Sequence, residues 1–288
     1  MELVSLPETQ LRGKLEPAAG VSQHSARLRR NEEAMFRFTA KSPISDEAGS
    51  WVERSMGRFV EVFGREALTT ARVVLPTPEY FPDEGNTPAE RAEAFLKRVC
   101  SYMDVDFGLV RLELFEDQVE ELHNSLKGRM SHWESSRSGA AGVYRAKDQI
   151  DGHAVIAIKT KELSNPVRLV ATLAHEAGHE LLLAGGYVGR DEPDMEPLTD
   201  LVTVFRGLGI FTANSAFHFR QYSDGQRAGW SASRHGYLSE PILGYALAWF
   251  AHERRERKPA WIRYLKPNVA HYFKQSAHYM EAAGLRSR

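Results

Sequence analysis

The chain has 288 residues, 42% of them hydrophobic and 26% charged, which is enough for one large domain or two small ones and ordinary for a globular protein. Its 37 Lys and Arg nearly balance 38 Asp and Glu, so composition supplies no general attraction to nucleic acid or to an anionic membrane surface. The single cysteine, Cys100, excludes an internal disulfide and any CxxC or Cys/His knuckle for structural zinc.

The first residues, MELVSLPETQLRGKLEPAAG, lack the basic start and apolar run of a secretory leader. No stretch approaches the ~18 consecutive apolar residues of a membrane span, and the expectation is a cytoplasmic protein. Residues 1–44 mix Pro, Gly and charge without a period and read as a loose arm, with Arg27, Arg29 and Arg30 a solvated basic cluster.

From Ser45 the pattern turns helical: Trp51, Val52, Met56, Phe59, Val60 and Phe63 recur at three- and four-residue spacing, and Gly64 ends the run. Residues 71–75 read as a strand entering a Pro-rich turn. Thr87 and Pro88 open a second helix with Ala92, Phe95, Leu96, Val99 and Met103 on its apolar face. Residues 109–115 alternate roughly and suggest a half-exposed strand. Residues 45–123 are therefore expected to form a small α/β module, and the polar stretch 124–140 a boundary or long loop before a second domain, 124–288.

Two strands are expected at 141–146 and 153–160. A helix follows, capped by Asn165, with Pro166 in its first turn and Gly185–Gly186 at its end. It carries His175-Glu176-Ala177-Gly178-His179. Residues four apart share a helix face, so both imidazoles project together and can bind one cation. Neutral imidazole suits zinc, and Glu176 is placed to reach water activated by the metal. Val167, Leu169, Val170 and Leu173 make the preceding turns apolar, so two histidines there are expensive to bury without a common partner.

A zinc site with catalytic use needs a third protein ligand and an open position. Met195-Glu196-Pro197-Leu198-Thr199-Asp200-Leu201 begins another helix, and Glu196 and Asp200 share its face. Glu196 is the expected ligand, and Asp200 the expected hydrogen-bond acceptor of a ligand histidine, most simply His175. Glu180, Asp191, Glu192 and Asp194 are rival carboxylates, with Glu180 pointing off the metal face.

His175-Glu176-x-x-His179 followed by Glu196-x-x-x-Asp200 resembles the gluzincin class of zinc metallopeptidases over about 26 residues. The motif helix is also similar to that of ImmA/IrrE-type intracellular peptidases. The gluzincin resemblance implies zinc held by His175, His179 and Glu196, with Glu176 as general base and proton shuttle.

Farther on, residues 217–222 and 228–233 around Asp224–Gly225 read as a hairpin. It leads to His235 and Tyr237, candidate donors to a developing oxyanion, with Tyr245 later and Tyr144 and His218 as weaker alternatives. Residues 242–251 are almost wholly apolar and suggest a buried helix, with HERRERK (252–258) its solvated end. Residues 259–265 and 267–283 read as closing helices.

The fold expected is α+β, with a small mixed or antiparallel sheet on the metal helix and a mainly helical C-terminal half. The function expected is a zinc-dependent intracellular peptidase acting on a peptide or protein, which could add as a strand at the sheet edge. A non-peptide hydrolase, or a catalytically inactive metal-binding regulatory or peptide-interaction protein, is the alternative.

Overall fold

The computed structural model describes residues 40–116, 141–147, 152–222 and 238–284. Helix α1 (Asp46–Phe63) starts where the Ser45 side chain accepts from the Ala48 amide, and it buries Val52, Met56 and Phe59. Gly64 stops it at φ 89°, a conformation that L side chains rarely adopt. A short helix that the pattern did not announce, α2 (Arg65–Thr70), follows directly. Helix α3 (Pro88–Met103) opens with a reciprocal cap between Thr87 and Glu90 and buries Phe95, Leu96, Val99 and Met103.

Strands β1 (Val110–Phe115), β2 (Gly142–Arg145) and β3 (Ala154–Lys159) form a mixed sheet in the order β1-β3-β2. β3 runs parallel to β1 and antiparallel to β2, with Tyr144 opposite Ile156. The central strand is buried almost throughout, whereas β1 is half-exposed as its alternation implies. Among the described residues β2 is an edge strand.

Helix α4 (Pro166–Ala184) is capped by the Asn165 side chain, which accepts from the Arg168 amide at 3.1 Å. Arg168 in turn grips buried Glu162 through two bonds of 3.0 and 3.1 Å, fixing the approach of the chain to the helix. Among the described residues four α-helices follow: α5 (Met195–Phe205), α6 (Gly209–Tyr222), α7 (Glu240–Glu253) and α8 (Pro267–Ala282). α4 packs on α3, α5 and α6 and on strands β2 and β3, so it lies between the sheet and the helical half. Fourteen consecutive residues of α4, Leu169–Leu182, are buried.

The architecture is α+β, with a helical C-terminal half. Lys41–Arg288 form one compact unit, and a single hydrophobic core draws on residues from both sides of position 124. Among the described residues no helix is long and apolar enough to cross a membrane.

Several local expectations are corrected. Residues 71–75 are not a sheet strand. Their backbone is satisfied elsewhere: the Val74 amide donates to the Gly207 carbonyl at 2.9 Å, and the Arg254 guanidinium donates to the Leu68 and Ala71 carbonyls at 2.6 and 2.9 Å. The same contacts revise the reading of 252–258 as merely solvated, because buried Glu253 also pairs with Arg65 at 3.0 Å. Residues 217–222 continue helix α6 instead of forming one arm of a hairpin. Their apolar alternation is short, and the packing of α6 on α4, α5 and α7 overrides it. The 224–233 portion of that hairpin lies outside the described residues, as does the Arg27/Arg29/Arg30 cluster. The closing helix expected at 259–265 is present over Ala260–Tyr264 and is of the 3-10 kind.

Candidate metal centre

Helices α4 and α5 build the centre from facing surfaces. Their close approach depends on Gly178: a methyl group there would lie 2.8 Å from the Thr199 γ-methyl and 3.2 Å from Val202 Cγ1. The helix therefore carries a residue that disfavours it by about 1 kcal/mol relative to Ala, and the neighbouring helix occupies the space.

One turn of α4 presents His175 and His179, and one turn of α5 presents Glu196 and Asp200. His175 Nδ1 bonds Asp200 Oδ1 at 2.9 Å, and its Nε2 meets Glu196 Oε2 at 2.9 Å. His179 Nε2 lies 3.8 Å from the same Glu196 oxygen. One ligand atom from each of His175, His179 and Glu196 falls within 4.8 Å of the others. Donors around a tetrahedral zinc, with bonds of ~2.0–2.1 Å, stand roughly 3.3 Å apart, a spacing that 2.9 and 3.8 Å bracket. Two imidazoles and a carboxylate thus form a donor set that could hold zinc, His175 binding through Nε2 because Asp200 occupies Nδ1.

The electrostatics point the same way. Burial by itself lowers the proton affinity of His175, but the bonds to Asp200 and Glu196 and their charges outweigh it and raise the pKa from 6.5 to about 10. Both carboxylates therefore favour the ring in its cationic form. Asp200 is itself held, since Oδ2 accepts from the Leu238 amide at 2.7 Å.

Glu176 is buried at 3% exposure, next to the first residue of β2: a methyl group at Gly142 would fall 2.9 Å from Glu176 Oε1 and 2.6 Å from Thr172 Cγ2. The glycine lets the edge strand pass directly beside the carboxylate.

Glu180 is not among the three clustered residues. It accepts from the Tyr144 hydroxyl at 2.6 Å and from Lys147 Nζ at 3.1 Å. Tyr144 is thereby committed as a donor, while its ring stacks on His179 with centroids 5.8 Å apart and planes within 20°. Tyr245 is likewise committed. Its hydroxyl donates to Glu53 at 2.6 Å, and burial together with that bond pushes its pKa up. Among the rival carboxylates, Asp194 accepts from Trp51 Nε1 at 2.9 Å, an anchor between α1 and the start of α5. His235 and Tyr237 lie outside the described residues, and so does the side chain of His218.

Sequence reasoning missed three participants: Gly142, Leu238 and Thr199. The first two come into place only through folding, β2 across the sheet and residue 238 across the helices. Thr199 was within reach, because positions 196, 199 and 200 share one helix face.

No family model matches the sequence, and neither the curated proteins nor the solved structures yield a match.

Proposed function

We propose that this chain is a zinc-dependent metallohydrolase of the peptidase type. The observation that carries the reading is the convergence of His175 Nε2, His179 and Glu196 within 4.8 Å, with Asp200 on the outer nitrogen of His175 at 2.9 Å. Such an arrangement fixes which nitrogen is free to ligate. His175, His179 and Glu196 would hold the ion. The chemistry supplied by zinc at such a site is Lewis acidity, which polarises a carbonyl and brings the pKa of water to about 7.

The remaining work falls to the protein. Glu176 follows the first ligand on α4 and acts as general base: it takes a proton from water as the water oxygen attacks the carbonyl carbon. As the C–N bond breaks, Glu176 delivers that proton to the leaving nitrogen. Its burial beside Gly142 limits competing solvent around the carboxylate. The edge strand β2 supplies backbone groups along which an extended peptide can lie, close to Glu176 because Gly142 has no side chain.

Elemental analysis of protein purified without a metal-affinity tag tests the reading, together with hydrolysis of a mixed peptide pool before and after chelation. One zinc per chain and chelator-sensitive cleavage, restored by added zinc, are expected. Metal-free protein that takes up no zinc overturns it.

A further inference from the structure

We propose that Thr199 is a positioning residue for His179, fixing its tautomer so that Nε2 is the ligating atom. The inference rests on the metal-site reading above and assigns to the second histidine what Asp200 does for the first. Thr199 is fully buried, and its Oγ1 makes two contacts: 2.8 Å to the Met195 carbonyl and 3.3 Å to His179 Nδ1. A hydroxyl has one proton, and a carbonyl oxygen can only accept. The shorter contact therefore takes the proton, which leaves the Thr199 oxygen as an acceptor toward His179. Nδ1 must then carry the ring proton, and the lone pair stays on Nε2, the atom 3.8 Å from Glu196.

Two further contacts keep this arrangement from relaxing. The Thr199 γ-methyl packs into the space beside Gly178, 2.8 Å from where a side chain at that position would begin. On its own side, the His179 ring is held parallel to Tyr144, whose hydroxyl is tied to Glu180. Thr199 is thus the hydrogen-bond partner that sets the proton, and Tyr144 the surface that sets the plane.

The two histidines are consequently unequal. His175 has a carboxylate on its outer nitrogen, whereas His179 has a neutral hydroxyl, which accepts a weaker bond. His179 is the ligand that a small change should loosen.

The test compares Thr199→Val, which keeps the shape and loses the oxygen, with Thr199→Ser, which keeps the oxygen and loses the methyl. Each metal-stripped protein is titrated with zinc against a chromogenic chelator, and with cobalt(II) while the visible ligand-field absorption is recorded. Thr199→Val is expected to bind zinc ~10–100-fold more weakly and to shift the cobalt absorption, with Thr199→Ser close to wild type in both. Wild-type affinity and spectrum in Thr199→Val overturn the inference while leaving the metal site intact. Equal losses in the two variants also overturn it, since packing and not the hydroxyl would then be responsible. A wild-type protein that takes up no zinc removes the metal-site reading and this inference together. Should Thr199→Val not fold, Thr199→Ser against Thr199→Ala in the same titrations makes the same comparison.

Discussion

Asp200→Asn is the most informative single change, because the shape is kept and only the hydrogen-bond logic is altered. Asp200 accepts twice, from His175 Nδ1 at 2.9 Å and from the Leu238 amide at 2.7 Å, and is 2% exposed. An asparagine has one accepting atom for these two donors. With its oxygen toward His175, its NH2 faces the Leu238 N–H, and a buried donor left without an acceptor costs about 1–3 kcal/mol. With its oxygen toward Leu238, its NH2 faces Nδ1, which must then lose its proton. The proton moves to Nε2, the atom that faces Glu196, and occupies the ligand position. Either orientation also removes the negative charge that holds the ring. The expected outcome is a loss of about 10–100-fold in zinc affinity, equivalent to roughly 1.4–2.8 kcal/mol, and a metal-free protein less stable by about 1–3 kcal/mol. Competition with a chromogenic chelator reads the first quantity, and urea unfolding of metal-stripped protein the second. Zinc affinity within about twofold of wild type would refute the reasoning, because it would mean that Asp200 does not govern which nitrogen of His175 ligates.

In the proposed mechanism Glu176→Gln would remove the base and leave the three ligands, so kcat should fall about 10²–10⁴-fold with zinc stoichiometry unchanged; undiminished peptide cleavage would exclude Glu176 as base. The pH dependence follows from His175, raised from 6.5 to about 10 when metal-free. A group raised on folding gives stability that is complete below pH 6.5 and lost as pH rises toward about 10, so the melting temperature of metal-free protein should fall through that window. Zinc-loaded protein has no proton on His175 Nε2 to lose there, and the gap between the two forms should widen with pH. Zinc binding at pH 8 should also release about one proton from His175, read from calorimetric heats in buffers of different ionisation enthalpy; no buffer dependence would contradict it. Gly178→Ala gains about 1 kcal/mol of helix propensity but places a methyl 2.8 Å from the Thr199 γ-methyl. Overpacking of about 1–3 kcal/mol should win, and a urea midpoint above wild type would show that α4 and α5 are not tightly apposed.

What the sequence revealed was whatever depends on neighbours along one helix. Asn165 and Pro166 set the start of α4 by local rules, and the four-residue spacings of His175/His179 and Glu196/Asp200 set which side chains share a face of α4 and of α5. Residues 71–75 misled because a β-branched run reports only a preference for extended backbone. Whether a strand pairs is decided by what lies beside it, here Gly207 and Arg254. Residues 217–222 misled for the opposite reason, since packing of α6 against three other helices outweighs an alternation six residues long. The passage of Gly142 beside Glu176 had no sequence signal, because the register of β2 on β3 is a property of two strands together.

The burial of charge at the centre bears on the metal proposed for it. His175, His179, Glu196 and Asp200 are all under 10% exposed, and burying charges without a counter-charge is strongly unfavourable. A proton on His175 serves Asp200 and Glu196, while His179 Nε2 stands 3.8 Å from the same Glu196 oxygen. A divalent ion among the three donors engages both imidazoles and the carboxylate at once. It also lets Asp200 and Thr199 act as acceptors for the two outer N–H groups.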